Sequence, residues 1–384
     1  MMTLKRIALS GYKSIREMDL ELRPVNVLIG ENGAGKSNLV SFFRLTRQMM
    51  EKRLSTFIAQ SGRASSLLFY GPERTPRIRA RLDFESKSGI VNYEFELVHA
   101  PSDTLFFDPE DVLVLVPEHI EHGVVEVNHV SGAEARGREK IGFNRGGRET
   151  LLPDAPGEVS AIGREIWSVL SEYHVFHFQD MSSRSRIRQS VDIHNNRSLQ
   201  HDGGNLAALL YRLRQTEPTA YRRIVETIRQ IAPWFDDFAI KPLALDPKKV
   251  HLEWRERGSD EPFYPHQLPD GALRAMALVT LLLQPEKDLP QLLVIDEPEL
   301  GLHPYAINVL AGLVEGASHH CQVILATQSV PLLEQFDPED VVVVEREEGA
   351  STFKRLRSED LQDWLEDYSL GELWQKNVIG GGPA

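Results

Sequence analysis

A mixed α/β fold built on a parallel sheet is predicted by three features of this 384-residue chain. Short, largely apolar runs such as Val25-Asn26-Val27-Leu28-Ile29 and Leu292-Leu293-Val294-Ile295 have the character of strands covered on both faces. From residue 272 onward such runs alternate with helical patterns, the order of a parallel α/β layout. Near Ile78 the hydrophobic period changes to two, the mark of an antiparallel meander with one wet face.

Each element follows from its residues. Leu4, Ile7 and Leu9, then Met18, Leu20 and Leu22, mark two strand-like segments, and Pro24 ends the second. The buried strand 25–29 leads into a glycine-rich loop. A helix is predicted from Asn38 to about Gln60, with Leu39, Phe42, Phe43 and Leu45 on its apolar side. Ile78, Ala80, Leu82 and Phe84 alternate with charged residues; after a turn at 86–89, Val91, Tyr93, Phe95 and Leu97 alternate with Asn92, Glu94 and Glu96. The meander is expected to reach Val130, and the Gly-, Arg- and Glu-rich residues 131–157 to form an exposed loop. A helix (158–172), a strand (174–178), an Arg/Ser connection (182–188), helices at 205–214 and 218–231, and strands at 238–245 and 249–257 follow. The last block reads helix 272–284, strand 291–295, helix 304–317, strand 321–326, helix 330–335 and strand 341–345. The region of Trp364 and Trp374 is expected to pack as a C-terminal helix.

Composition narrows the function. A hydrophobic share of 41% and a charged share of 26% are those of a globular protein. No apolar run approaches the roughly 18 residues of a membrane span, so no membrane role is expected. The single cysteine, Cys321, leaves no internal disulfide and no cysteine metal cluster, and a cytoplasmic setting is expected. A net charge of −13 argues against indiscriminate nucleic-acid binding, while leaving room for a local basic face. The 13 histidines show no metal-ligand spacing.

The chemistry concentrates in two blocks. Gly30-Glu31-Asn32-Gly33-Ala34-Gly35-Lys36-Ser37 fits G-x-x-x-x-G-K-[ST] in full and lies between a strand and a helix, ahead of Asn38. Backbone N–H groups of such a loop surround phosphates, and the helix dipole adds to the attraction. Lys36 is expected to neutralise the β- and γ-phosphates of ATP and Ser37 to bind Mg²⁺. The second block is the apolar strand ending in Asp296-Glu297-Pro298. Asp296 is expected to hold Mg²⁺, and Glu297 to orient or deprotonate the attacking water.

The continuation Glu299-Leu300-Gly301-Leu302-His303-Pro304 resembles that of ABC-type ATPases of the RecF, SMC and OLD group, over most of the chain. The resemblance implies a P-loop NTPase with a two-lobed head, residues 1–180 forming one lobe and 181–384 the other within one composite ATPase domain. Lys13 and Ser14, in Gly11-Tyr12-Lys13-Ser14-Ile15, are similar to the element that lies beside the nucleotide there. Gln179 stands where a metal-contacting Q-loop glutamine would lie. Leu268-Pro269-Asp270-Gly271 stands where the signature Leu-Ser-x-Gly does, implying that Asp270 and Gly271 contact nucleotide. Gln328 takes the place of the switch histidine, in a catalytic role. Pro269 in place of the signature serine and Gln328 in place of histidine imply slow hydrolysis.

The resemblance also implies a homodimer closed by ATP, and leaves DNA or a separate effector protein open as partner. Of three functions, an ATP-driven engine in DNA repair, chromosome maintenance or phage defence comes first. A nucleotide-gated scaffold with little hydrolysis comes second. A nuclease with a TOPRIM domain is disfavoured, because about 40 residues follow strand 341–344 with no Asp-x-Asp pair.

Overall fold

The computed structural model describes residues 2–86, 89–115, 138–155 and 159–382. Two six-stranded sheets organise it. The first holds strands β1 (Thr3–Tyr12) and β2 (Ile15–Glu21). The second begins with β3 (Val25–Ile29), followed by helices α1 (Lys36–Met50) and α2 (Leu54–Gln60). The helix expected over 38–60 is thus broken: Lys52 adopts a left-handed φ of 55° between the two pieces. No glycine or proline announces this break.

Strands β4 (Arg77–Ser86), β5 (Gly89–Ala100), β6 (Thr104–Leu115) and β7 (Arg138–Asn144) complete the first sheet, in the order β2-β1-β4-β5-β6-β7. All its pairings are antiparallel. The meander is as expected through β6, and its extension over 116–130 lies outside the described residues. The loop expected over 131–157 is in part wrong, since β7 pairs with β6. A buried polar cluster anchors this end. Glu110 accepts hydrogen bonds from the Tyr93 hydroxyl (2.7 Å), the Asn144 amide (2.7 Å), the Leu151 N–H (3.0 Å) and the Thr150 hydroxyl. The polar end of this strand gave no apolar signal, since Asn144 is buried with its amide satisfied by Glu110.

Helix α3 (Val159–Ser171) leads to β8 (Tyr173–Phe176). A helical region follows: β9 (Val191–Asp192), α4 (Leu206–Thr216), α5 (Pro218–Ile231), β10 (Phe235–Phe238), β11 (Lys249–Val250) and β12 (Trp254–Glu256). The two strands expected at 238–245 and 249–257 shrink to short two-stranded pieces. Then come α6 (Asp270–Leu283), β13 (Leu292–Asp296), α7 (Pro304–Ser318), β14 (Gln322–Thr327), α8 (Val330–Leu333), β15 (Val341–Glu347) and β16 (Ala350–Arg355). Two short helices, α9 (Ser358–Leu365) and α10 (Leu370–Gln375), take the place of the one expected there.

The second sheet has the order β16-β15-β3-β14-β13-β8 and is parallel apart from β16. It draws β3 and β8 from residues 1–180 and the rest from 181–384. Its strands are buried because both faces are covered. Val27, Ile29, Leu293, Ile295, Val323 and Leu325 pack with the helical region. Leu28, Val294, Ile324, Ala326 and Val342 pack with α1 and the antiparallel sheet. Cys321 is buried, and burial pushes its thiol up to about 12.

His174 of β8 sits in this sandwich, and burial lowers its pKa to about 4, with the Arg47 charge acting in the same direction. A depressed histidine is neutral in the fold and protonated in the unfolded chain. Its contribution to stability is therefore complete above about pH 6.5 and is lost as pH falls toward about 4. His174→Leu should flatten the decline of the thermal midpoint across that window. An unchanged slope would remove His174 from the acid response.

Candidate functional site

Four of the loops that carry the predicted chemistry leave the carboxyl edge of the central sheet, where α/β folds gather their ligand sites. β3 runs into the glycine loop, β13 into Glu297, β14 into Gln328 and β8 into Gln179.

The glycine loop is tightly held. Gly35 has φ 124°, and a Cβ there would fall on the Ser351 hydroxyl. Ser351 Oγ donates to Ala34 O (2.5 Å) and lies 2.6 Å from Ser14 Oγ, to which the Asn38 amide donates (2.6 Å). Ser14 and Asn38 thus brace the loop through a buried network, as does Ser351 of β16. Gly35 caps α1, and no side chain hydrogen-bonds the helix N-terminus. First-turn N–H groups have no acceptor within a helix, so this end suits an anion. Ala34, Gly35 and Lys36 are buried, while Glu31, Asn32, Gly33 and Ser37 are exposed.

Lys36 Nζ donates to Gly30 O and to Glu31 O (3.0 Å), which holds the ammonium inside the loop. Burial lowers its pKa, against the opposing charges of Asp296, Glu297, Glu299 and Glu31. Lys13 has a left-handed φ of 49°, its N–H donates to Leu67 O (2.8 Å), and its ammonium lies 5.6 Å from the Tyr12 ring centroid. Burial also lowers the Lys13 pKa, with Arg44 adding to the effect. Tyr12 is a buried packing residue whose hydroxyl lies 2.8 Å from Ser41 Oγ.

Asp296 ends β13 and is 8% exposed. Glu297 adopts φ 51°, a strained conformation for a residue with a side chain, and its N–H donates to Ala326 O (2.8 Å). Strain of this kind concentrates at functional sites. The Gln328 amide donates to Asn32 Oδ1 (2.7 Å), so the switch position touches the glycine loop directly. Gln179 is exposed, and its Oε1 accepts from His177 Nε2 (2.9 Å). His177 Nδ1 lies 3.4 Å from Asp296 Oδ2, an ion-pair distance off the line a hydrogen bond needs. The Asp296 carboxylate raises the His177 pKa against the effect of burial.

Glu299 Oε1 accepts from Thr327 Oγ1 (2.6 Å) and from the Gln328 N–H (3.2 Å). Its partly buried position raises its pKa. The oxygen donors at this edge (the Ser37 hydroxyl, the Asp296 carboxylate and the Gln179 amide) are the hard ligands that suit Mg²⁺. Among the described residues no group of three or more His, Cys, Asp or Glu side chains offers another metal site.

Asp270 and Gly271 open α6 and pack on a different segment. A Cβ on Gly271 would fall on Gly301 O. Asp270 pairs with Arg188 (2.6 Å), whose side chain is 5% exposed and also donates to Met181 O (2.8 Å), Leu268 O (3.1 Å) and Pro265 O. The Arg/Ser connection is therefore not wholly a solvated one: Arg188 is a structural clamp on the signature turn, and Arg186 is paired with Asp202 (3.1 Å).

Sequence reasoning missed His177, Arg188, Glu299 and Ser351 as parts of this site. Only Glu299 had a visible signal, as the third acid of Asp-Glu-Pro-Glu. The others are brought in by tertiary packing.

Comparison with known proteins gives a family match, two relatives and two solved structures of like fold. Residues 25–115 and 126–334 match the family described as "AAA domain, putative AbiEii toxin, Type IV TA system". The OLD nuclease of Thermus scotoductus is 24% identical over 92% of this chain and 66% of its own length. The RecF DNA replication and repair protein of Paenarthrobacter aurescens is 34% identical over 24% of this chain and 22% of its own. This chain thus spans less than two thirds of either relative. An SMC head solved with the C-terminal winged-helix domain of ScpA aligns with TM-score 0.61 at 14% identity, over 94% of this chain and 99% of that one. An SMC head with an extended coiled coil from Pyrococcus furiosus aligns with TM-score 0.57 at 15% identity, over 96% and 99%. No described helix is long and apolar enough to cross a membrane. By the family match over most of its length, the chain belongs to this AAA-domain family; it shares the fold of SMC heads and is similar in sequence to OLD nuclease and, over its matched part, to RecF.

Proposed function

We propose that this protein binds and hydrolyses ATP and that two copies close around the nucleotide, in a role connected with DNA. The observation that carries the reading is the convergence of Lys36, Asp296, Glu297 and Gln328 on one sheet edge, around an uncapped helix N-terminus. Lys36 would meet the β- and γ-phosphates, with N–H groups of 33–37 around them. Ser37 and Asp296, with Gln179 beside them, would hold Mg²⁺, which supplies charge neutralisation on the phosphate oxygens. Glu297 would accept a proton from the attacking water, and Gln328, fixed by Asn32, would orient that water or the γ-phosphate. Asp270 and Gly271 would meet the second copy's nucleotide through the N-terminus of α6. Lys13 and Ser14 would flank the nucleotide's other end. The DNA-connected role, in repair, chromosome maintenance or phage defence, rests on the likeness to RecF and OLD nuclease. Colorimetric phosphate release and light scattering with ATP and Mg²⁺ test the reading; neither turnover nor an ATP-dependent dimer would overturn it.

A second reading, a nucleotide-gated scaffold that hydrolyses little and controls a separate effector, is favoured by Pro269. Pro269 is the N-cap of α6, and its carbonyl accepts from the Leu273 N–H (3.0 Å). Arg188 holds the turn on either side of it, so its backbone does not depend on the proline ring. Pro269→Ser should keep the turn and restore the missing hydroxyl. A charged hydrogen bond contributes roughly 1.5–3 kcal/mol at best, so a rise in turnover of at most about 100-fold is expected. A lower rate in a folded variant would show that the ring itself shapes the turn.

A further inference from the structure

Arg274, one turn into α6, is only 5% exposed, yet among the described residues no carboxylate forms an ion pair with it. A buried cation normally has an anionic partner. Here all three of its directed contacts are main-chain carbonyls. Nε donates to Phe178 O (2.8 Å), Nη2 to Gln179 O (3.4 Å) and Nη1 to Leu300 O. Burial lowers its pKa, against the charges of Asp270 and Glu297.

The three acceptors belong to the two loops that flank Asp296. One leaves β8 and carries Gln179. The other leaves β13 and carries Glu297 and Glu299, and its Glu299 holds the Thr327 hydroxyl and the Gln328 N–H. One turn earlier on α6, Gly271 lies in backbone contact with Gly301. An arginine that served packing alone would have no reason to take its acceptors from these two loops. Three carbonyls in different directions need the planar fork of a guanidinium; an ammonium is a single point donor.

We propose that Arg274 is a positioning residue that joins the signature turn at 268–271 to the Gln179 and Glu297 loops, so that nucleotide bound at a chain's own glycine loop is felt at the turn it offers to the second copy. This rests on the ATPase reading above. One buried guanidinium would make two loops and a helix move as a single body.

The test uses the full chain with Arg274→Lys and Arg274→Met, and Gly271→Ala as an independent break of the same junction. Three quantities are measured: affinity for a fluorescent ATP analogue with Mg²⁺, phosphate release, and hydrogen exchange of amides 268–273 with and without ADP at dilution that keeps the protein monomeric. In the two Arg274 variants affinity should stay within about twofold while turnover falls at least about tenfold, since the loss lies in positioning rather than ground-state binding, and Gly271→Ala, in the turn itself, is read by exchange alone. ADP should protect amides 268–273 in the wild type, and this protection should vanish in all three variants. Wild-type turnover and protection in Arg274→Lys and Arg274→Met would overturn the proposal. So would loss of affinity, turnover and thermal stability together, which marks a structural role. If the wild type binds ATP without hydrolysing it, the ATPase reading fails, and the ADP-dependent protection still decides for or against Arg274.

Discussion

Replacing Lys36 by alanine should abolish ATP binding or weaken it by about 100-fold or more, since it removes a charged hydrogen-bond donor worth roughly 1.5–3 kcal/mol and the one ammonium in the loop. The ammonium has three N–H donors, and the structure spends two of them on Gly30 O and Glu31 O. Those bonds aim the side chain into the loop's interior, where the remaining donor and the charge would meet the phosphates. Burial disfavours the charged form, and a polyphosphate would restore it. Alanine therefore deletes the counter-charge and leaves two carbonyls facing an anion. Lys36→Met, which keeps the aliphatic stem, should lose binding equally, and this separates charge from packing. Titration with a labelled ATP analogue measures both. Unchanged affinity in either variant, with far-UV circular dichroism intact, would remove Lys36 from the nucleotide site.

The two chemical blocks were legible in the sequence because each sits at the exit of a strand buried on both faces. Such strands are short apolar runs, and the residue that follows must lie at the sheet's edge. Gly30 to Ser37 and Asp296-Glu297 could thus be placed without coordinates. The meander was legible through its period of two. What was hidden depends on contacts between residues distant in sequence. Ser351 reaches Gly35 across β16, His177 meets Asp296 across neighbouring strands, and Arg274 grips loops about 95 and 26 residues away. The missed strand β7 and the break at Lys52 have a local cause. A strand that ends on a buried polar residue, Asn144, and a helix ended without glycine or proline give no compositional signal.

Glu297→Gln should bind ATP with near wild-type affinity and slow turnover by about 100- to 10,000-fold, the range expected when a general base is lost. The substitution is nearly isosteric, so the loop geometry should persist. Glu297 is held at φ 51° by its own N–H, donated to Ala326 O, and that bond is indifferent to the side chain. An amide cannot take the water's proton, so the bound ATP would remain intact. If two copies close on ATP and open on hydrolysis, the variant should accumulate as an ATP-dependent dimer that the wild type populates only transiently. The strain at Glu297 sharpens the test. Glu297→Gly relieves the left-handed backbone while also removing the carboxylate, and should melt no lower than Glu297→Gln while being equally inactive. Should Glu297→Gln turn over at the wild-type rate, another group accepts the proton, and Glu299, raised in pKa and two residues away, becomes the residue to replace next. Should it stay monomeric with ATP bound, the sandwich itself fails, and the geometry of the glycine loop would serve binding within a single chain.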